Sequence, residues 1–259
     1  MQNNTFSTLF VGHNRINLSA VDSTNDFLKR MVSNSEPLPE GTVIMADNQY
    51  AGRGQQQNTW SAEPGKNLTF SIYLSPKFLP LDKQFFLNMA VSNGLYNALS
   101  SLKGIFPKNK WPNDVYIENR KLGGVLIENI VAGSTIKATI VGIGINVNQR
   151  NFSTELTEKA TSVYQFLQHD VNLIKLLDEL CSQIEQQYLI LRAGNYTYLK
   201  NVYVSNLYRY RQPGLFRQNG ETFEGMVVDV TDTGQLVLKV DNGLRYYNFK
   251  EIEFLTQNT

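Results

Sequence analysis

Residues 110–130 of the chain read KWPNDVYIENRKLGGVLIENI. Apolar residues over 115–117 and 121–130 predict two antiparallel strands, and the polar residues 118–120 predict the turn that joins them. The lysine that begins the second strand is followed by two glycines, so its side chain can point into a pocket whose floor is backbone. The hairpin therefore indicates that a β-sheet is the basis of the fold.

Helical patterns lie on both sides of this hairpin. Apolar residues recur every three or four positions over 82–102 and again over 172–192, which predicts two long amphipathic helices. A further helix is predicted from Ser23 or Thr24 onward, because either hydroxyl can accept from the free N–H groups of a first turn. The chain therefore combines helices with a sheet.

Further strands are predicted before and after the hairpin. Segments 41–46, 68–74 and 135–147 have short apolar or alternating patterns, and residues 1–20 predict a strand and a loop. Residues 47–66 are polar, rich in Gly, Gln and Asn, and without a regular pattern. Long loops in compact domains are usually functional or disordered, so this loop is a candidate part of a binding site.

The pattern changes from about Tyr210 onward, where helical spacing disappears and short β segments alternate with turns such as Asn219-Gly220. About 45 residues of short antiparallel strands are typical of a small five-stranded barrel. The predicted strands are 214–217, 222–230, 236–240, 244–249 and 252–255. We therefore predict an α+β chain of two domains, residues 1–208 and residues 209–259.

Composition excludes several classes of protein. Of the 259 residues, 42% are hydrophobic and 18% are charged, so a sizeable buried core is expected. The formal net charge of +1 argues against a nucleic-acid binder. The sequence has neither a secretory signal nor an apolar run near the ~20 residues of a membrane span, so we expect a cytoplasmic protein without membrane contact. The single cysteine, Cys181, lies in an apolar helical pattern that favours a structural thiol.

Common metal and nucleotide motifs are absent from the sequence. One cysteine and the widely separated His13 and His169 do not have zinc-ligand spacing. The glycine–lysine loop of P-loop nucleotide sites is missing, and Gly52-x-Gly54 lacks the third glycine of a dinucleotide fingerprint. Any site must therefore be built from other residues.

Several short segments have both a plain structural interpretation and a chemical one. Alone, each is explained by a helix cap, a flexible loop, a rigid turn, a solvated lysine or a tight strand end. Arg53, however, lies between two glycines that let the backbone approach a ligand closely beside a fixed positive charge. The segments are Ser23-Thr24-Asn25, residues 49–54 with Trp60, residues 110–114, residues 120–128 and residues 142–146.

Together and in this order, these segments resemble the biotin–protein ligase family over nearly the whole chain. The matching motifs are Gly52-Arg53-Gly54 with Trp60, Lys110 to Asp114, Lys121 to Gly124, and Gly144-Ile145-Asn146. The motif Lys-Trp-Pro-Asn-Asp is highly specific. The resemblance implies a mixed-sheet catalytic domain with helices, of the class II synthetase-like or biotin–lipoate ligase type, and a small C-terminal SH3-like barrel.

The resemblance also implies a reaction in two steps. Biotin and ATP, with Mg²⁺, would give biotinyl-5′-AMP and pyrophosphate, and a lysine of an acceptor would then take the biotinyl group. The implied acceptor is the biotin carboxyl carrier protein domain of a biotin-dependent carboxylase. The implied assembly is a monomer or a homodimer, and no nucleic-acid or membrane partner is expected.

Individual roles follow residue by residue from the matched motifs. Catalytic roles are implied for Lys121, Arg53 and Gln55. Biotin contacts are implied for Ser23, Thr24, Asn25, Gln49, Gly52, Arg53, Gly54, Gln55, Lys121, Gly124, Val125, Leu126 and Gly142. ATP contacts are implied for Asn58, Trp60, Lys110, Asn113, Asp114 and Asn146, with Trp60 covering adenine and Asn146 contacting its edge.

The sequence departs from the family pattern in two places. The family loop usually has arginines after Gly-Arg-Gly, whereas this chain has Gln55 and, further on, Asn58. Gln55 can hydrogen-bond a ligand but brings no charge, so a weaker hold on the adenylate is expected. Repressor-type members carry a helix-turn-helix module ahead of the ligase domain, and the start of this sequence predicts a monofunctional ligase without operator binding.

Three other functions remain open at this stage. A lipoate or octanoate ligase shares the related catalytic fold and also acylates a carrier lysine. A non-catalytic binding module and an enzyme inactivated by loss of the loop arginines are alternatives of a different kind. ATP-dependent release of pyrophosphate would separate the active possibilities from the inert ones.

Overall fold

The computed structural model describes residues 8–33, 37–55, 58–241 and 243–255. Within these ranges a sheet of seven strands carries the larger part of the fold. The strands are β1 (Arg15–Val21), β2 (Val43–Gln49), β3 (Leu68–Leu74), β4 (Pro107–Lys110), β5 (Asp114–Ile117), β6 (Arg120–Ala132) and β7 (Thr135–Ile145). Their spatial order is β1-β2-β3-β7-β6-β5-β4.

The sheet is mixed, as the fold class predicted. Strands β1 and β2 pair in parallel, and the remaining neighbours pair antiparallel. The predicted hairpin is confirmed as β5 and β6, although Arg120 already pairs with Ile117, so the turn itself is Glu118-Asn119. Because β7 lies at the centre, its residues contact both β3 and β6 along most of their length.

Two strand predictions need correction. A strand over 41–46 was predicted, but β2 begins at Val43 and continues to Gln49. The additional residues pair with β1, whose Ala20 and Val21 lie opposite Asn48 and Gln49, so the long loop begins only after Gln49. Strand β4 was not predicted, because its sequence Pro-Lys-Asn-Lys has no apolar alternation and only pairing with β5 makes it a strand.

Helices pack against the sheet through their apolar side chains. In the described residues they are α1 (Thr24–Ser33), α2 (Phe85–Ser100), α3 (Val163–Leu167), α4 (Leu173–Arg192) and α5 (Tyr196–Ser205). The predicted start of α1 is confirmed, since the Ser23 hydroxyl accepts from the Asp26 N–H at 3.4 Å. The predicted helix over 82–102 is interrupted: a 3-10 turn at Leu81–Lys83 precedes α2.

Helices α3 and α5 were not predicted, for different reasons. Helix α3 is short, and its capping serine, Ser162, is buried among polar neighbours that sequence spacing does not reveal. Helix α5 follows α4 after only a brief turn at Gly194, whose φ of +74° is the left-handed geometry of a helix end. Asn195 then caps α5 by accepting from the Tyr198 N–H at 3.3 Å.

The main core lies between the sheet and the pair α2 and α4. Its largest fully buried side chains include Phe70 of β3 and Phe86 of α2. Gly94 of α2 lies against Ile184 of α4, and a Cβ at Gly94 would lie 2.7 Å from the Ile184 Cα. The two helices therefore pack closely because one of them has no side chain at the contact.

The C-terminal segment forms a second, antiparallel sheet of five strands within the described residues. The strands are β8 (Pro213–Gln218), β9 (Glu221–Val230), β10 (Leu236–Val240), β11 (Gly243–Tyr247) and β12 (Glu253–Phe254). The predicted strand at 244–249 was too long, and the last strand is only two residues. Asn219 and Gly220 both have positive φ, which is the geometry of the predicted tight hairpin turn.

The two sheets share one apolar core and several polar contacts. The core cluster continues from Val43 in the first sheet to Phe216 and Tyr247 in the second. At the junction, Trp111 Nε1 donates to the Gly234 carbonyl at 2.8 Å. Lys83 Nζ lies 2.8 Å from Asp232 Oδ2. The C-terminal sheet is therefore fixed against the side of the molecule that carries the 110–114 segment.

Two expectations from composition bear on the described residues. No helix among them is both long enough and apolar enough to cross a bilayer. Cys181 is 1% exposed within α4, and burial raises the pKa of its thiol to about 12. The thiolate form is therefore disfavoured, which agrees with a structural cysteine.

The close contact of α2 and α4 gives a stability prediction. Gly94→Ala should lower the free energy of unfolding by about 1–3 kcal/mol, because the added methyl must displace α4 backbone. This loss should appear even though alanine favours a helix by roughly 1 kcal/mol over glycine. Urea unfolding measures the change, and Ser100→Ala, at an exposed site on the same helix, is the control. Equal or greater stability for Gly94→Ala would contradict the packing described.

Candidate active site

A cavity of about 600 Å³ opens on the face of the larger sheet, beside the C-terminal sheet. Its walls come from α1, the loop after β2, the 110–114 segment, β6, β7 and the turn before β12. The sequence-predicted residues that line it are Ser23, Thr24, Asn25, Gln49, Arg53, Gly54, Gln55, Asn58, Trp60, Lys110, Asn113, Asp114, Lys121, Gly124, Val125, Leu126 and Gly142. Segments that are far apart in the sequence thus meet at one place.

The start of α1 supplies one polar wall. The Thr24 N–H and hydroxyl both lie near Gln49 Oε1, at 2.7 and 3.0 Å. Asn25 is 3% exposed, and its Nδ2 donates to Glu128 Oε2 at 2.8 Å. A Cβ at Gly142 would overlap the Asn25 amide. The glycine on β7 therefore makes the room that this amide occupies.

Arg53 is held by two carboxylates at the edge of this wall. It forms ion pairs with Asp26 and with Glu128, the second at 2.8 Å. Glu128 also pairs with Lys29 at 2.5 Å. Burial opposes ionisation of Glu128, but the hydrogen bonds from Lys29, Asn25 and Arg53 outweigh it and lower its pKa. Arg53 and Lys29 thus have negative partners before any ligand is present.

The 110–114 segment forms the opposite wall. The Trp111-Pro112 peptide bond is cis, and the Pro112 carbonyl accepts from Asn88 Nδ2 at 2.7 Å and from Tyr203 OH at 3.0 Å. Asn113 donates through Nδ2 to the Val125 carbonyl. These bonds tie the segment to α2, α5 and β6, so its side chains have a fixed position at the cavity.

Lys121 and Asp114 form the ion pair that projects from the hairpin. Lys121 Nζ lies 2.7 Å from Asp114 Oδ1. The Lys121 backbone is bonded to the segment around Ala160, donating to the Lys159 carbonyl at 2.8 Å. A Cβ at Gly124 would lie 3.0 Å from Asp114 Oδ1. The pair therefore lies over a strand that offers backbone instead of side chain, as the sequence predicted.

Lys110 is placed differently from Lys121. Its Nζ donates to Tyr116 OH at 2.9 Å and lies 4.3 Å from the centre of the Tyr116 ring. Tyr208 and Phe254 also lie within cation–π distance of the ammonium. Burial lowers the pKa of Lys110. It is therefore a half-buried cation surrounded by aromatic rings at the junction of the two sheets.

The loop after β2 covers part of the cavity through Trp60. The Trp60 ring lies against Gly144, where a Cβ would overlap it. The Trp60 N–H donates to the Gly52 carbonyl at 2.9 Å. Trp60 Nε1 and Gln55 Oε1 are buried atoms without a hydrogen-bond partner in the described structure. Both atoms are therefore able to take a partner from a ligand.

Two predicted site residues, Gly52 and Asn146, do not line the cavity. Gly52 lies within the loop, and its missing side chain makes room for the Trp60 carbonyl. Asn146 is 4% exposed and donates through Nδ2 to the Thr161 carbonyl at 3.0 Å. Its contact with adenine stays a prediction. Of the polar run after Gly54, Gln56 and Gln57 lie outside the described residues.

Trp111, Pro112, Ile143 and Gly144, which belong to the segments singled out from the sequence but had no assigned ligand contact, also line the cavity. Sequence analysis missed the rest of the lining, which is Thr59, Thr69, Phe249, Lys250, Ile252, Glu253 and Phe254. Those from the C-terminal sheet lie more than a hundred residues from the matched motifs, and only packing brings them to the cavity. Lys250 has a φ of +70°, which is uncommon for a residue with a side chain.

Comparison with known families finds two matches in this chain. The model of the family described as "Biotin/lipoate A/B protein ligase family" matches residues 18–146. The model described as "Biotin protein ligase C terminal domain" matches residues 215–255. The first range contains the matched motifs, and the second range contains most of the C-terminal sheet.

Curated proteins and solved structures agree with these matches. The bifunctional ligase/repressor BirA of Bacillus subtilis is 28% identical over 248 residues, which cover 95% of this chain and 75% of that protein. The biotin–[acetyl-CoA-carboxylase] ligase of Paracoccus denitrificans is 26% identical and covers 92% and 99%. The biotin protein ligase from Aquifex aeolicus in complex with biotin and ATP superposes with a TM-score of 0.79, at 26% identity over 95% of this chain and 100% of that chain.

The cluster at Glu128 gives a prediction about pH. Glu128→Gln should lower the free energy of unfolding at pH 7 by about 1–3 kcal/mol, because three donors lose a charged acceptor. The folded-state pKa of Glu128 is lowered. The wild-type advantage is therefore complete above the ordinary glutamate pKa of about 4.3 and is lost as the pH falls through the lower folded value.

Thermal or urea unfolding at pH 7 and near pH 3 measures both parts of this prediction. Glu224→Gln, at an exposed site on β9, is the matched control and should change stability little at either pH. A Glu128→Gln penalty that stays constant between the two pH values would show that charge is not the cause.

Proposed function

Because this chain belongs to the biotin protein ligase family, we propose that it activates biotin with ATP and transfers the biotinyl group to an acceptor lysine. Biotin and ATP are its substrates. In the first step the biotin carboxylate attacks the α-phosphorus of ATP, which gives biotinyl-5′-AMP and releases pyrophosphate. In the second step the acceptor amine attacks the carbonyl carbon of the mixed anhydride, AMP leaves, and the amine loses its proton.

The convergence of the matched motifs on one cavity is the observation that carries this proposal. The start of α1, the loop after β2, the 110–114 segment and β6 contribute to a single lining. A volume of about 600 Å³ lies within the ~300–1,000 Å³ of ordinary ligand sites. Polar side chains are at one end and glycine-lined backbone is beneath, which suits a substrate with a polar ring and an apolar chain.

Biotin would lie along β6 and β7. Its ureido ring is neutral and polar, and Thr24, Asn25 and Gln49 can form hydrogen bonds with it. Its valeryl chain is apolar and would extend over the floor formed by Val125 and Gly142. Ser23 also lines the cavity, and its hydroxyl, which accepts from the Asp26 N–H, could still donate to the ring. In this arrangement the carboxylate end would point toward Lys121.

The first step needs positive charge, because an anion attacks a polyanion. Lys121 would bridge the biotin carboxylate and the α-phosphate, and Asp114 at 2.7 Å orients its ammonium. Arg53 would add positive charge from the loop if the ligand displaces its carboxylate partners, Asp26 and Glu128. Trp60 would cover the adenine, and the cover would keep water away from the adenylate.

Mg²⁺ would arrive with the ATP phosphates. It prefers oxygen ligands and commonly takes one or two carboxylates together with phosphates. Asp114 and Glu253 are the carboxylates among the lining residues, so the residues present fit such an ion, with Asp114 as the first choice. When bound, Mg²⁺ would neutralise the part of the phosphate charge that the lysine and arginine side chains of the cavity leave unneutralised.

For the acceptor we propose a biotin carboxyl carrier domain of a biotin-dependent carboxylase. The name of the Paracoccus denitrificans relative, a biotin–[acetyl-CoA-carboxylase] ligase, supports this choice. We further propose that residues 1–208 form the catalytic unit and that residues 209–259 form a unit in which β12 and the turn before it complete the cavity wall. The acceptor lysine would enter beside this turn.

Calorimetry with biotin and with lipoate, each with and without a non-hydrolysable ATP analogue and Mg²⁺, tests the proposal. Biotin binding that strengthens with the nucleotide is expected, followed by pyrophosphate release from ATP. Binding of lipoate alone would instead indicate a lipoate ligase. No heat of binding with either ligand would favour a non-catalytic binding module.

Removal of Lys121 gives the sharpest test of the chemistry. Lys121→Met should reduce biotin-dependent ATP–pyrophosphate exchange on the order of 10²–10³-fold, because one charge that stabilises the transition state is lost. Lys137→Met, an exposed position on β7, is the matched control and should exchange normally. If Lys121→Met retained more than a tenth of the wild-type rate, the bridging role would be wrong.

The loop glutamine gives a second prediction. Gln55→Arg should slow release of biotinyl-5′-AMP about threefold to tenfold, because a charge-assisted hydrogen bond to the phosphate replaces a neutral one. Gln55→Glu, with opposite charge, should speed it. Release is measured by chasing labelled adenylate with excess unlabelled biotin. Equal release rates for the arginine and glutamate variants would show that Gln55 does not face the phosphate.

A further inference from the structure

Ser71 lies beneath the polar wall of the cavity and does not line it. It belongs to β3 and is 0% exposed. Its Oγ lies 2.6 Å from Asn25 Oδ1 and 2.7 Å from Thr24 Oγ1. One buried hydroxyl thus contacts two of the side chains that face the cavity.

The partners of Asn25 determine how its amide is oriented. Its Nδ2 lies 2.8 Å from Glu128 Oε2 and 3.4 Å from the Leu126 carbonyl, and both of these are acceptors. The nitrogen therefore points toward β6, and Oδ1 points toward Ser71. Because Oδ1 can only accept, the hydrogen in the 2.6 Å contact comes from the Ser71 hydroxyl.

Thr24 and Gln49 extend this chain. Gln49 Oε1 accepts from the Thr24 N–H at 2.7 Å, so that atom is an oxygen and an acceptor. The Thr24 hydroxyl has one hydrogen, which it can give to Gln49 Oε1 at 3.0 Å or to Ser71 Oγ at 2.7 Å, but not to both. The three oxygen–oxygen contacts therefore share two hydroxyl hydrogens.

Because hydroxyl hydrogens are few among these side chains, the polar wall of the cavity mainly offers hydrogen-bond acceptors. The oxygens of Gln49, Thr24, Ser71 and Asn25 hold more lone pairs than the hydrogens among them can use. A ligand group that offers N–H donors complements these oxygens, whereas a group that can only accept leaves them unpaired, at a cost in affinity. A ureido ring offers two N–H groups, one on each side of its carbonyl.

The sheet supports this arrangement by register. Ser71 of β3 lies directly opposite Gly142 of β7, and Gly142 lies opposite Leu126 of β6. A Cβ at Gly142 would overlap the Asn25 amide. Three adjacent strands therefore hold the Asn25 amide in one orientation. They do so through the Ser71 hydroxyl, the backbone of Gly142 and the Leu126 carbonyl.

We propose that Ser71 is a positioning residue for recognition of the ureido group: it fixes the side chains of Asn25 and Thr24 in the polar wall that would receive the N–H donors of the substrate. The role of Ser71 rests on the proposed function, because the N–H donors are those of biotin. Ser71 does not contact the substrate and does not take part in the chemistry.

Calorimetry of the full chain with biotin and, separately, with a non-hydrolysable ATP analogue tests this role. Ser71→Ala should weaken biotin binding on the order of tenfold, because the hydrogen that orients Asn25 is lost. Affinity for the ATP analogue should stay within twofold of wild type. Ser71→Thr keeps the hydroxyl and should recover most of the biotin affinity.

Two further measurements separate positioning from a general structural effect. Ser92→Ala removes another buried serine hydroxyl, on α2, and should leave biotin affinity unchanged at a similar melting temperature. Biotin methylated at one ureido nitrogen has lost an N–H donor, so Ser71→Ala should weaken its binding less than it weakens that of biotin. This non-additivity is not expected from a change in packing alone.

The outcomes distinguish this role from the proposed function. If the wild type does not bind biotin, the proposed function fails and the role of Ser71 fails with it. If the wild type binds biotin and Ser71→Ala binds it equally well, the positioning role is wrong while the function stands. Equal losses for biotin, methylated biotin and the ATP analogue would show that Ser71 only maintains the fold.

Discussion

The absence of side chains at Gly142 and Gly144 is the constraint on which the cavity depends. Both residues lie on β7, two positions apart, so they face the same side of the sheet. A Cβ at either position would overlap a group that forms the site, the Asn25 amide in one case and the Trp60 ring in the other. Because β7 lies between β3 and β6, this bare strip of backbone runs through the centre of the sheet. Through Asn25 and Trp60, helix α1 and the loop after β2 come into contact with this strip.

Charge in the cavity is largely balanced within the protein. Arg53 and Lys29 face Asp26 and Glu128, and Lys121 faces Asp114. Each pair holds its cation in place, and each also means that an anionic ligand must compete with a carboxylate for it. Lys110, without a carboxylate partner among the described residues, is instead surrounded by aromatic rings. A ligand with several negative charges, such as a nucleoside triphosphate, competes for these cations more strongly than a single carboxylate does.

The junction of the two sheets connects stability with the site. Trp111 donates to Gly234 and contacts Phe249 edge to face, so the segment that begins the hairpin also anchors the C-terminal sheet. The turn that carries Lys250, together with Glu253 of β12, is thereby brought to the mouth of the cavity. Glu251 supports this turn by accepting from the Asn248 N–H at 2.7 Å. The C-terminal sheet is thus part of the site's wall, and its loss would expose both the apolar junction and the cavity.

The sequence by itself determined the long helices, the central hairpin, the C-terminal β segments and the motif residues, because each depends on local spacing, turn chemistry or residue type. Helix α5, strand β4, the length of β2 and the wall formed by residues 249–254 were decided only by the tertiary structure. Pairing and packing with distant segments create these features, and no local pattern encodes them. Ser71 illustrates the same limit. In the sequence it is one polar residue within an apolar strand, and its significance comes from the register that places it opposite Gly142 and beneath Asn25.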